Sequence, residues 1–246
     1  MSAQTVPNTD TFQNGDLATE EINAVIARAK APTGNPTLAD SAREFAQHWS
    51  PRILVGGMLL SLLARIYVGH WTIWDAVIAV AFIAWQPLQE WLIHVHILHW
   101  KPRMMFGKRI DFKLAKLHRF HHADPWDVPT LFVPLDAIVL SGVIQTTLIF
   151  LLMPTFALAL SALVMVWAVG VAYEWVHFLV HTAYRPKTNW FRKKWHFHRL
   201  HHFKNEHYWQ GVSMHQADWL LHTQPDPKTV ESSPTARNLN ENNAMQ

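Results

Sequence analysis

Histidine is the residue type on which this chain concentrates its chemistry. There are 17 His against 18 Asp plus Glu, and no Cys. Without Cys there are no disulfides, thiolate zinc sites, cysteine nucleophiles or iron–sulfur clusters, so any metal must sit on imidazole or carboxylate. Four groups stand out: His94 and His99 with His96 between them; His118, His121 and His122; His177 and His181; and His198, His201 and His202. Residues three and four apart share one face of a helix, so each triplet presents a fan of imidazoles, and His177 with His181 aims two nitrogens at one point. His94 and His99 are less regular. Five residues span roughly 140° of an ideal α-helix, so the pair either serves different metals or the helix loosens there. Ten imidazoles exceed what one ion accepts, whereas two ions with about five nitrogen ligands each would use them all. His48, His70, His96, His196, His207, His215 and His222 fall outside the repeated spacings and read as surface or supporting residues.

Such a constellation needs elements that bring residues more than 100 positions apart to one place. Half of the chain is hydrophobic and only 16% is charged, well below the roughly 25% of soluble domains, which favours one membrane-embedded domain. Four apolar segments, at about 53–68, 74–92, 131–152 and 155–180, approach the roughly 20 residues a helix needs to cross a bilayer. Two short connections, Gly69 to Thr72 and Met153–Pro154, make each pair a helical hairpin. None of the 21 Lys and Arg lies in these connections, whereas seven fall between Lys101 and Arg119 and seven between Arg185 and Lys204. The positive-inside rule then places both termini, the central loop and all four histidine groups on the cytosolic side. A bacterial inner membrane and the endoplasmic reticulum are equally compatible. Residues 1–50 read as a polar arm, with a short helix around Leu17 to Lys30, and 226–246 as a disordered tail, leaving 51–225 as the membrane domain. Arg65 and Asp75 flank the first connection. Glu90 and Glu174 sit within apolar runs just before histidine groups, where an intramembrane carboxylate needs a partner; both read as residues that orient the imidazoles.

Imidazole sites suit Zn, Cu, Fe and Ni. Placement at the ends of membrane helices, beside acyl chains, points to substrates dissolved in the bilayer. Oxidising an unactivated C–H bond there is a task for a redox metal and O2 rather than side-chain acid–base chemistry, so two Fe ions are the expected cofactor. Zinc can substitute in purified protein. Competing readings are a soluble helical protein, a pH switch or anionic-lipid patch, and a His-rich metal transporter or sensor; transporters, however, place polar sites near the bilayer midplane on discontinuous helices.

The ordered boxes, His94 to His99, His118-Arg-Phe-His121-His122, His177-Phe-Leu-Val-His181 and His198-Arg-Leu-His201-His202, resemble the fatty acid hydroxylase superfamily, over about Pro87 to Thr223. That group includes fatty-acid 2-hydroxylases, sterol oxidases and desaturases, and carotenoid hydroxylases. The runs His121-His122-Ala-Asp-Pro-Trp-Asp127, Tyr173-Glu174-Trp-Val-His177 and Gly211-Val212-Ser213 with Asp218 are similar to the 2-hydroxylase branch. The resemblance implies an all-α fold: a four-helix transmembrane domain with a cytosolic helical cap, carrying a dimetal site on the ten boxed histidines, with Tyr173 and Asp127 among the supporting residues. It implies hydroxylation of a fatty acyl chain or acyl lipid, with a sterol or carotenoid substrate, or desaturation, as alternatives. Residues 1–50 are too few for a fused b-type cytochrome, so electrons are expected from a separate ferredoxin or b-type cytochrome with its reductase. The basic stretch Arg192, Lys193 and Lys194 is a candidate docking face for an acidic donor or for lipid headgroups. No nucleic-acid partner is expected.

Overall fold

The computed structural model describes residues 19–239; the outer parts of the expected arm and tail, 1–18 and 240–246, lie outside the described residues. The architecture is helical. In chain order the helices are α1 (Thr19–Arg28), α2 (Leu38–Phe45), α3 (Trp49–Val68), α4 (Ile73–Ile93), α5 (Lys113–Ala123), α6 (Leu135–Leu152), α7 (Phe156–His181), α8 (Asn189–Phe203) and α9 (Gln216–Leu220). A hairpin of β1 (Arg103–Met105) and β2 (Lys108–Ile110) interrupts them, pairing Arg103 with Ile110 and Met105 with Lys108.

Among the described residues, four spans are long and apolar enough to cross a membrane: Trp49–Val68, Ile73–Leu98, Val128–Leu152 and Phe156–His181. They coincide with the four expected segments, and the second runs six residues further. The long α7 is the hub, packing against α3, α4 and α6. Small residues permit the close approach. A Cβ on Gly57 would meet the Trp167 ring at 2.8 Å, and one on Gly142 would meet it at 3.2 Å. Close contact through glycine is how helices associate where lipid removes the hydrophobic drive between them. Leu60, Leu63, Leu140, Val143, Leu151 and Leu152 are exposed on the outside of the spans, the face a bilayer would cover.

The two short connections lie at one end of this bundle. Arg65, 1% exposed, donates to Asp75 Oδ1 from Nη2 at 2.7 Å and from Nε at 2.9 Å, and Nε also reaches Ser161 Oγ near the start of α7 at 2.8 Å. Its guanidinium lies 3.9 Å from the Trp71 ring centroid. The two charges that flank the first connection therefore pair with each other, which makes their burial tolerable.

The first and last described segments fold back on the opposite end. On α1, Ile22 and Val25 are buried against Phe120 and Ala123 of α5. Thr37 and Asp40 form a reciprocal capping box that starts α2. Phe45 then enters an aromatic core with Phe132, Trp175 and Phe178. The expected disorder after Asp226 is corrected as far as residue 239. Thr235, Ala236, Asn238 and Leu239 are buried, Ser233 N–H donates to the Lys204 carbonyl at 2.7 Å, and Arg237 donates to the carbonyls of His122 (2.8 Å from Nε) and Ala123. Those carbonyls end α5 and lack helical partners, so an irregular polar segment is ordered by satisfying them.

Candidate metal centre

The end opposite the short connections gathers all ten boxed histidines into two groups of five. His94, His99, His118, His122 and His201 form one; His121, His177, His181, His198 and His202 form the other. Within each group the ligand nitrogens lie within 4.8 Å of one another. Neighbouring Nε2 atoms are closer still: His94 to His118 3.0 Å, His118 to His122 3.1 Å, His122 to His201 3.2 Å, His121 to His177 3.2 Å, His181 to His198 2.9 Å and His198 to His202 3.1 Å. Two nitrogens at right angles on one ion, with bonds of about 2.1 Å, stand about 3.0 Å apart. The donor sets thus fit a metal ion in size and chemistry. The groups adjoin, with the His122 and His202 rings 4.2 Å apart between centroids.

Helical geometry explains the partition. His118 and His122 are four apart on α5 and serve one group, while His121 is rotated off that line and serves the other. On α8 the roles are mirrored: His198 and His202 share a group, and His201 crosses to its neighbour. His177 and His181, four apart at the end of α7, go together. The irregular pair is resolved by a change of helix. After Ile93 the chain makes a π-helical turn, His94–Leu98, closed by His99 N–H donating to His94 O at 3.0 Å. The wider turn brings residues five apart onto one face, and the His94 and His99 rings stand 4.8 Å apart. The helix loosens, and both residues belong to one group.

Four of the outward nitrogens are held by backbone. Nδ1 of His94 bonds the Gln210 carbonyl at 2.5 Å, His122 that of Ala236 at 2.8 Å, His177 that of Leu131 at 2.9 Å and His201 that of Tyr208 at 2.9 Å. A carbonyl accepts only, so Nδ1 carries the proton and Nε2 keeps its lone pair toward the group. None of these carbonyls was foreseeable as a partner, because every residue has one and only the fold selects which is used.

Glu90 and Glu174 act one step further out than expected. Glu90 accepts from Ser213 N–H at 2.7 Å, Ser213 Oγ at 2.5 Å and Val212 N–H, clamping the loop whose Gln210 carbonyl orients His94. Glu174 accepts from Val133 N–H at 3.0 Å and from Ser50, fixing the strand just after Leu131, whose carbonyl orients His177. Tyr173 lies over the His177 ring, centroids 5.8 Å apart. The Asp127 carbonyl accepts from Thr130 Oγ at 2.7 Å, stabilising the 3₁₀ turn Val128–Leu131 that leads to the same carbonyl. Asp218 accepts from Gln210 N–H at 2.8 Å and from Gly211 N–H at 2.7 Å. A Cβ on Gly211 would meet the Met214 carbonyl oxygen at 2.1 Å, so this tight loop needs glycine.

Outside the apolar spans, burial holds His99, His118, His121, His198, His201 and His202 well below the ordinary imidazole range and His122 at about 3. Neutral imidazole is the ligating form. Of the histidines outside both groups, His96 and His196 are exposed, His48 packs on Phe132, His215 lies 3.7 Å from Asp218, and His207 shares a cavity with His99. The basic stretch on α8 is narrower than expected. Lys194 is buried and donates to the Ser213 carbonyl, so only Arg192 and Lys193 face outward.

Four apolar helices with paired all-imidazole clusters at one end define an integral membrane protein built around a candidate dimetal centre. A family model described as fatty acid hydroxylase matches residues 78–223, which include all ten clustered histidines and more than half of the sequence. The chain belongs to the fatty acid hydroxylase family. A solved structure described as full-length Scs7p, with only its hydroxylase domain visible, superposes with a TM-score of 0.61 at 19% identity, covering 91% of this chain and 85% of that one. At that identity the likeness speaks for the fold. Comparison with curated proteins gives no match.

Proposed function

We infer that the chain is a membrane-bound non-haem di-iron monooxygenase that hydroxylates a C–H bond of a fatty acyl chain or acyl lipid. The observation that carries this reading is the division of ten buried imidazoles into two adjoining groups of five. His94, His99, His118, His122 and His201 would hold one iron, and His121, His177, His181, His198 and His202 the other. Iron when bound supplies the O2 activation that side-chain acid–base groups cannot.

The chain's own residues supply the rest. Backbone carbonyls of Leu131, Tyr208, Gln210 and Ala236 fix ring orientation and tautomer, and Glu90, Glu174 and Asp218 hold the loops that bear or adjoin three of them. Packing of α1, α2 and residues 226–239 around the 51–225 unit keeps water from the rings. A cavity of about 670 Å³ lined by Trp91, Val95, His99 and Arg103 reaches His99 from outside. Sidedness follows the basic residues: the histidine end and both termini are cytosolic, and electrons arrive from a separate ferredoxin or b-type cytochrome.

The test is metal stoichiometry. Anaerobic reconstitution of the detergent-purified chain with ferrous iron should give two irons per chain, falling to one in His118→Ala or His121→Ala protein that still inserts. A ceiling of one iron in the unaltered chain would refute the di-iron reading. Zinc bound on purification would not, since zinc competes well for imidazole.

A further inference from the structure

The β1–β2 hairpin has a tip that folding alone does not explain. Phe106 is 98% exposed and Met104 68% exposed, and Phe106 holds φ of 52° beside Gly107 at 73°. Positive φ at both positions is what the two-residue primed turn joining Met105 to Lys108 requires, and that turn holds the Phe106 ring out in solvent. The surroundings here are basic. Residues 101–110 contain Lys101, Arg103, Lys108 and Arg109 and no acid; Asp111, next in line, is spent on Arg119 at 2.7 Å.

The hairpin is also fixed in height. It begins a few residues after the second span ends at Leu98. Trp100 Nε1 donates to the Ile110 carbonyl across its base at 3.1 Å, and Arg119 of α5 donates to the Trp100 carbonyl at 3.0 Å. Arg103 stacks on Trp100, 3.8 Å from the ring centroid. Tryptophan and arginine at the mouth of a span mark the interfacial layer, where an apolar tip within a basic collar gains from both acyl chains and anionic headgroups. Lys101 and Arg103 line the cavity that reaches His99, so the docked hairpin would set that opening at the lipid surface.

We propose that the Arg103–Ile110 hairpin docks into the anionic lipid leaflet on the histidine side, inserting Met104 and Phe106 among the headgroups. The proposal rests on the membrane reading of the four spans and is independent of metal and of catalysis. The chain has no Cys, so Met104→Cys takes a single environment-sensitive label with Phe106 intact, and Leu148→Cys on α6 serves as the reference for insertion. Both full-length proteins are reconstituted into vesicles of phosphatidylcholine alone or mixed with phosphatidylglycerol. In anionic vesicles the position-104 label should shift to the blue, be quenched by lipid-borne nitroxide and lose most of its quenching by aqueous iodide. Phosphatidylcholine alone, or addition of Phe106→Asp, should restore iodide access. Equal iodide quenching in both vesicle types would overturn the proposal, leaving the tip to a water-soluble partner. Iodide access at position 148 would instead overturn the membrane reading and the proposal with it.

Discussion

Metal binding to this site should release almost no protons even in mildly acidic solution. Seven cluster histidines outside the apolar spans, His99, His118, His121, His122, His198, His201 and His202, have proton affinities depressed chiefly by burial. At pH 6.0 an ordinary imidazole of pKa about 6.5 is roughly three-quarters protonated, so seven ordinary histidines would surrender about five protons on binding metal. His122, at about 3, is protonated in only about one molecule in a thousand at that pH. The assay is calorimetric titration of metal-free protein in detergent with zinc at pH 6.0, in two buffers of different ionisation enthalpy. Fewer than about one proton released per chain is expected. The sign of the accompanying stability change is fixed. At these histidines the unfolded chain binds more protons than the native one once pH drops below about 6.5, so their contribution to metal-free stability is full above pH 6.5 and is lost progressively as pH falls, toward about 3 for His122. Release of four or five protons at pH 6.0 would show that the rings are solvated and titrating, and the preorganised neutral clusters would be refuted.

Two further outcomes follow from particular contacts. Glu90→Ala should loosen the loop at Gln210 and weaken metal at the His94 group by about 10–100-fold, with the His177 group little changed, and Glu174→Ala should do the reverse; competitive chelation separates the two sites, and equal weakening of both by either variant would contradict the assignment. Gly57→Ala should destabilise the α3–α7 packing by about 1–3 kcal/mol, since its Cβ would meet Trp167 at 2.8 Å, whereas Gly56→Ala, with nothing within 4 Å, should be neutral or slightly stabilising; thermal unfolding in detergent compares them, and indistinguishable midpoints would refute the close helix contact.

The histidines and the four apolar runs were legible because their signals are local: residue type, spacing of three or four, and length. The two-group partition was half legible. Ten imidazoles imply two ions, but each triplet reads as one fan, and the crossing of His121 and His201 to opposite groups depends on how α5 and α8 face one another, which no local pattern encodes. The π-helical turn was posed as an alternative by the five-residue gap and decided by the fold. Glu90 and Glu174 read as intramembrane carboxylates needing partners, and those partners are backbone amides and hydroxyls of distant loops rather than imidazoles. Order in residues 226–239 is not legible locally, because a polar segment gives no sign of a core of its own. Arg237 and Ser233 instead complete the exposed ends of α5 and α8, and Ala236 supplies the carbonyl on His122.

The most direct test of the central claim is a lipid inventory. Membranes from a host expressing the intact chain, His121→Ala or no insert, each with a matched electron donor, are extracted, and acyl lipids are compared by mass spectrometry under labelled O2. The account predicts species that gain one labelled oxygen atom on the acyl chain with the intact protein, and their absence with His121→Ala shown to insert and fold. Normal product from the inserted variant, or unlabelled oxygen in the product of the intact chain, would contradict it.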